Sequence, residues 1–257
     1  MSPSPRRVTP LADATVLLVG AGGLGCPAGR VLARSGVGRL VVSDDDQVEG
    51  TNLHRQVLFR ETDLGQPKAE VAAARLRELG AEAGHAVSTE ARLQRFLPET
   101  AAALLDGVDL VVEGSDNFPS KFVVADACML AGVPVVQAGA VRWGGWALAA
   151  GARRGPSHDL CLRCVFEEVP TGDALTCELA GVVGPVVGVL GALQAKLALG
   201  LLNGEAPGTL MHYEGRRDRL RETHPVPRAE CPHAREAIDD LAAVRYVGET
   251  NEAPLGR

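Results

Sequence analysis

The residues Gly20-Ala21-Gly22-Gly23-Leu24-Gly25 follow a short apolar run and open a helical pattern. Glycines at this spacing leave backbone N–H groups available at a helix N-terminus, where they and the helix dipole hold a phosphate. Asp44 lies 19 residues beyond Gly25, at the end of the next strand-like run. A carboxylate there can accept hydrogen bonds from both ribose hydroxyls. Taken alone, these residues describe an NAD-linked oxidoreductase; the bland alternative for Asp44 is a loop cap. The following stretch, Asp46-Gln-Val-Glu-Gly-Thr51-Asn52-Leu53-His54-Arg55-Gln56, and then Gly65-Gln66-Pro67-Lys68, shifts that reading. A hydride-transfer enzyme has no use for Asn, Arg and Lys clustered just past its ribose carboxylate. A triphosphate does, because fixed cations neutralise charge developing on phosphoryl oxygens. Lys68 falls at a helix start, where the dipole disfavours a cation unless an anion compensates. Singly, Arg55 and Lys68 read as solvated surface charge.

Sulfur supplies the other chemistry. Cys161-Leu-Arg-Cys164 has the spacing that brings two thiolates to one tetrahedral ion. Cys26 and Cys128 fall within apolar helical patterns and read as core residues. The six cysteines are too few and too unevenly placed for a disulfide scaffold in 257 residues.

The elements that must position these groups alternate. Thr15 to Gly20 and Arg39 to Ser43 read as buried parallel strands, separated by a helix with Pro27 near its start and Gly36 after its end. A loop over 47–65 leads to a helix over 66–79, with Val71, Leu76 and Leu79 on one face. Strands over 109–113 and 133–137 flank a helix from about Pro119 to Leu130. Strand-helix alternation predicts a Rossmann-like, doubly wound, mostly parallel sheet. From Trp143 onward come short strand-like pieces, the CxxC pair, a glycine-rich apolar helix and a polar tail. The expected organisation is a flexible segment over 1–14, one domain over 15–235 with halves meeting near 140, and a tail over 236–257.

Composition bounds the alternatives. Thirty-two acidic against 26 basic residues give a net charge of −6, which argues against a nucleic-acid partner. With 46% hydrophobic residues the chain can bury a substantial core; 30 Gly and 16 Pro against 5 Phe, 2 Trp and 2 Tyr indicate aliphatic packing with many turns. Arg6 and Arg7 before an apolar run ending Leu24-Gly25-Cys26 faintly resemble a lipoprotein signal, but Asp13 and the glycines at 20, 22, 23 and 25 make a poor inserting helix. Residues 181–202 contain five glycines, Pro185, Gln194 and Lys196, and are expected to form a buried helix rather than a membrane span. A soluble, cytoplasmic protein is expected.

Six segments together resemble the ThiF/MoeB/HesA group of adenylating enzymes, related to ubiquitin-activating enzymes: GAGGLG at 20–25, DDDQVEGTNLHRQ at 44–56, GQPK at 65–68, GSDN at 114–117, CLRC at 161–164 and LTCELAGVVGPVVGVLGALQA at 175–195. They stand in the family's order. The resemblance implies ATP as cofactor, with Asp44 on the ribose, Asn52, Arg55 and Lys68 on the phosphates, and Asp116, beside Asn117, on the accompanying Mg2+; Ser115 replaces the more usual Thr. It further implies that the C-terminal glycine carboxylate of a small ubiquitin-like sulfur carrier, MoaD-like or ThiS-like, attacks the α-phosphate to give an acyl-adenylate. Molybdopterin, thiamine or related sulfur-transfer biosynthesis would be the setting. Cys177 aligns with a cysteine that some members use for covalent transfer; a buried inert thiol is the alternative, since adenylylation does not need it.

The family usually completes a zinc site with a second CxxC. Here Cys231-Pro232-His233-Ala234 keeps the first cysteine only, so a structural Zn2+ would be held by Cys161, Cys164, Cys231 and His233, with His224 as another candidate, unless the site has decayed. Relatives usually carry an N-terminal arginine that reaches the neighbouring protomer's ATP; Arg6 or Arg7 would have to substitute. The resemblance also implies a homodimer and a separate sulfurtransferase. Two other readings remain open at this point: a noncatalytic scaffold or half of a heterodimeric activating enzyme, and the NAD-linked oxidoreductase, against which the NLHRQ and SDN motifs stand.

Overall fold

The computed structural model describes residues 9–170, 181–242 and 246. The first strand, β1 (Thr15–Val19), enters helix α1 (Gly25–Arg34) through the glycine loop; β2 (Arg39–Ser43) leads by two short 3-10 turns to α2 (Lys68–Glu82). Next come β3 (Ser88–Arg92), α3 (Pro98–Leu105), β4 (Leu110–Glu113), α4 (Phe118–Ala131), β5 (Val135–Val141) and β6 (Gly144–Ala150). A one-turn helix α5 (Leu162–Val165), the long α6 (Gly184–Leu202), β7 (Leu210–Glu214) and β8 (Arg219–Thr223) follow.

All eight strands form one sheet in the order β3-β2-β1-β4-β5-β6-β7-β8. The first five run parallel, with β1 central; β6 to β8 extend the same sheet antiparallel. The doubly wound expectation therefore holds, and the strand-like pieces after Trp143 lengthen that sheet. Neither β3 nor α3 is among the elements expected from the sequence pattern. β3 is the polar run STEAR, an edge strand with no fully buried residue, so it lacks the apolar pattern that marks β1 and β2.

Alternation within the strands supplies two cores. Val16, Leu18, Leu40 and Val42 point to the face covered by α1, α2 and α6, whereas Leu17, Val19 and Val111 point to the face covered by α3 and α4. Burying such a Leu or Val side chain contributes about 2 kcal/mol, which is why both faces of the central strands read as continuous apolar runs. The loop over residues 155–165, α5, Cys231 and Tyr246 close the second core.

Helix α6 is long and apolar enough to cross a membrane by composition. Here it lies across the sheet, with Val186, Leu190, Ala195 and Ala198 in the first core. Its Gln194, fully buried, donates Nε2–H to the Glu113 carbonyl at 2.7 Å, which accounts for the one amide in the middle of this helix. Gly191 lets α6 approach α1: a Cβ there would run into Pro27 and the Leu24 carbonyl. Gly191→Val should therefore lower the urea midpoint at unchanged m-value, by about 2 to 3 kcal/mol from overpacking.

Candidate active site

A cleft of about 810 Å³ opens at the carboxyl ends of the parallel strands, where open α/β sheets bind ligands. Its floor is the turn after β1. Gly20 takes φ +87°, a left-handed conformation that glycine adopts without strain. No side chain caps α1, so its first amides face the cleft. Gly25 has a packing role: a Cβ would overlap the Gly20 carbonyl, and Gly114 in turn packs against the Gly25 nitrogen. Gly20, Gly22 and Gly23 line the cleft.

Asp44 follows β2 and accepts from the amides of Ala21 at 2.7 Å and Asp46 at 2.9 Å. Burial pushes its carboxyl above the usual carboxylate range, opposed by those two amides. One carboxylate thus ties the second strand end to the glycine turn while lining the cleft. Lys68 is the first residue of α2 and is 5% exposed. Its Nζ donates to Asp46 Oδ2 at 2.7 Å, so the anion that offsets the unfavourable helix-start cation lies in the chain itself. Arg55 crosses the mouth with its stem against Gly23 and a guanidinium nitrogen 3.5 Å from His54 Nε2.

Asp116 and Asn117 reach the cleft from the loop after β4. Asp116 is exposed and accepts only a 3.3 Å bond from Asn117 Nδ2. Asn117 caps α4, accepting from the Ser120 amide at 2.9 Å. The loop holding this pair rests on groups that sequence reasoning missed. Glu113, with no exposed surface, accepts from Lys121 Nζ at 3.0 Å, from the Ser115 amide at 2.6 Å and from the Ser115 hydroxyl. Lys121 gives its other two protons to the carbonyls of Ser115, at 2.7 Å, and Ala138, at 2.6 Å. The signal available in the sequence was a charge in each of two buried elements, Glu113 ending an apolar strand and Lys121 within an apolar helix.

Thr51, Asn52 and Leu53 lie outside the cleft lining. Asn52 Nδ2 and the Thr51 hydroxyl turn to Glu49, at 3.2 and 3.5 Å, and Leu53 packs on the first core. They belong to or directly follow the 3-10 turn over Gly50–Asn52, which precedes the cleft-lining His54, Arg55 and Gln56. In compensation, Arg95 and Phe96 join the lining from beyond β3, the strand that the sequence did not reveal. Cys177 lies outside the described residues. Cys26 bonds to the Ala21 carbonyl at 3.2 Å, and burial pushes its thiol up to about 12, an inert core group as expected.

On the far face of the sheet, Cys161 Sγ lies 3.6 Å from both Cys164 Sγ and Cys231 Sγ and 3.3 Å from His233 Nδ1. Hydrogen bonding within the trio holds the Cys164 thiol low and pushes Cys161 up. His158 Nε2 adds a donor 3.2 Å from Cys164 Sγ. His224 is elsewhere, exposed and 3.4 Å from Glu222.

A glycine-loop cleft at the carboxyl ends of a doubly wound sheet, walled by a carboxylate after β2 and by Arg and Lys, defines a nucleotide-binding α/β protein. The ThiF family profile matches residues 5–233, and the chain belongs to that family. It is 40% identical over 215 residues to the adenylyltransferase and sulfurtransferase MOCS3 of Xenopus laevis, covering 82% of this chain and 46% of that protein. It is also 40% identical over 243 residues to the SAMP-activating enzyme E1 of Haloferax volcanii, covering 92% and 86%. The chain spans about half the length of the MOCS3 relatives it matches. The crystal structure of E. coli MccB shares the fold, with TM-score 0.73 and 23% identity over 87% of this chain and 66% of that one.

Lys121→Met strands the buried Glu113 carboxylate and should cost about 3 to 5 kcal/mol, whereas Lys121→Met with Glu113→Gln should recover a large part of that loss. Chemical denaturation of the three variants measures it.

Proposed function

We propose that this chain uses ATP to adenylylate the C-terminal glycine of a ubiquitin-like sulfur carrier ending in Gly-Gly, releasing pyrophosphate. One observation carries the reading: a single cleft gathers the glycine turn, Asp44, Arg55, Lys68 and Asp116. A nucleoside with a charged polyphosphate needs that combination; a dinucleotide cofactor does not. The names of the MOCS3 and SAMP-activating relatives support the same activity and the same class of acceptor.

In this reading Asp44 receives the ribose, and the open amides of the turn receive phosphate. The carrier's terminal carboxylate is ionised at neutral pH, with an α-carboxyl pKa of about 3.5, so no general base is required. Its oxygen bonds to the α-phosphorus in line, and the bond to the bridging oxygen breaks with its electron pair leaving on pyrophosphate. Arg55 and Lys68 stabilise the charge on the departing phosphates. Lys68 enters this role through exchange of its Asp46 partner for phosphate oxygen. Asp116 offers the exposed oxygen donor that Mg2+ prefers, and it would hold an ion that spreads the phosphate charge. Partnership with a separate sulfurtransferase and action as a homodimer, in molybdopterin, thiamine or related sulfur-transfer biosynthesis, belong to the same proposal.

ATP-pyrophosphate exchange tests it. Exchange should require a carrier with an intact Gly-Gly end, and Asp116→Ala or Arg55→Ala should each reduce it about 100-fold or more. ATP binding without exchange for any such carrier would replace this reading with a noncatalytic or heterodimeric subunit. Cys177→Ser should leave exchange unchanged, since a thiol acts only after the adenylate forms; its effect on later transfer to sulfur, measured separately, reports any covalent step.

A further inference from the structure

The thiol cluster on the far face contains two histidines, and their surroundings differ. Thiolates around one zinc at about 2.3 Å sit about 3.8 Å apart, and the spacings of Cys161 to Cys164 and Cys231, both 3.6 Å, match that. Cys231, His233, Cys161 and His158 are all buried, as a closed structural site demands. The chemistry of the donor set, three soft sulfurs with imidazole, also suits zinc. What remains is the fourth ligand.

His233 has no exposed surface, and its Nδ1 faces Cys161 Sγ at 3.3 Å. Its Nε2 lies 3.2 Å from Asp126 Oδ1, though turned off the line of a hydrogen bond, and has no other partner. Asp126, also fully buried, is fixed from three sides: Arg163 Nε donates to Oδ1 at 2.8 Å, Arg163 Nη2 to Oδ2 at 2.7 Å, and the Tyr246 hydroxyl to Oδ2 at 3.0 Å. A carboxylate so held keeps the ring proton on Nε2 and leaves Nδ1 as a lone-pair donor. Metal-bound histidines almost always have such an outer partner. His158 presents Nε2 to Cys164 Sγ at 3.2 Å. It is arranged to donate N–H to a thiolate instead.

For the zinc site that the family resemblance implies, we propose that Asp126 is the positioning residue that fixes the His233 tautomer, so that Nδ1 of His233, and not His158, completes the set with Cys161, Cys164 and Cys231. His158 then stays outside the ligand set as a hydrogen-bond donor to Cys164. The thiol protons still held by the three cysteines pass to solvent on binding, and the neutral imidazole adds none. The arrangement explains how Ala234 is accommodated: the imidazole, supported from α4, replaces a fourth sulfur. It is independent of the adenylylation reading, because no group in it lines the ATP cleft.

The test uses the full chain, its zinc content, cobalt(II) substitution and chelator competition. Wild type and His158→Ala should each hold one zinc per chain with equal affinity and show cobalt spectra of a site with three sulfurs and one nitrogen. His233→Cys should keep the ion while shifting the spectrum to that of four sulfurs. Asp126→Asn should weaken zinc about 10- to 100-fold in the wild-type background and have no such effect in His233→Cys. An equal effect of Asp126→Asn in both backgrounds would reduce Asp126 to a packing role. Loss of zinc in His158→Ala with retention in His233→Ala, or a wild type that binds no zinc, would overturn the assignment. Because the second background already lacks the imidazole, a folding defect in Asp126→Asn appears in both and cannot imitate the expected difference.

Discussion

One ammonium group organises the cleft end of the sheet. Lys121 sits inside α4 and spends all three protons on Glu113 at the end of β4, on the Ser115 carbonyl in the loop above it and on Ala138 in β5. A charge at 3% exposure is tolerable only because every donor is used and the partner is a carboxylate. The same carboxylate takes the amide and hydroxyl of Ser115, and Gln137 donates to the carbonyl of Lys121 at 2.8 Å. Strand end, loop and helix start are thereby fixed relative to one another before any ligand arrives. Asp116, the next residue, needs no tight partner of its own because the loop beneath it is rigid.

The opposite wall of the cleft is built with looser restraints. Arg55 comes from a segment held by short turns, and Lys68 is paired with an aspartate that is 65% exposed at its side chain. Ion pairs of that kind contribute little to stability and are screened by solvent. The site therefore combines a rigid carboxylate wall with cations whose partners can be exchanged. Such cations can follow charge that moves in the cleft, while the hydrogen bonds between Asp44 and the glycine turn stay put.

The sequence made the parallel half of the fold legible because β1, β2, β4 and β5 are buried on both faces and therefore largely apolar. The glycine spacing and Asp44 were legible for a related reason: a turn this tight and a strand end this near it allow few residue types. The rest was hidden where tertiary context decides. β3 is polar because it lies at the edge, and with it went Arg95 and Phe96. The inward or outward direction of Asn52 depends on a 3-10 turn that no residue in GTNLHR dictates. His158 stood alone in the sequence, 6 residues from Cys164, and only folding shows that it meets the thiol cluster. Lys121 and Asp126 are charges within an apolar helix, which marks them as unusual, but their partners in β4, α5 and at Tyr246 come together only in the fold.

Both margins of the sheet carry charge. At one, β3 displays Glu90 between the guanidinium groups of Arg39 and Arg92; at the other, β8 reads Arg219-Leu220-Arg221-Glu222-Thr223 and is largely exposed. An open sheet of eight strands offers an edge ladder at each margin to a passing strand, a route by which such proteins aggregate. Here an incoming strand would have to strip water from several ionic side chains to reach either ladder. The fold thus limits its own width, and it does so with the residues that made its margins hardest to read.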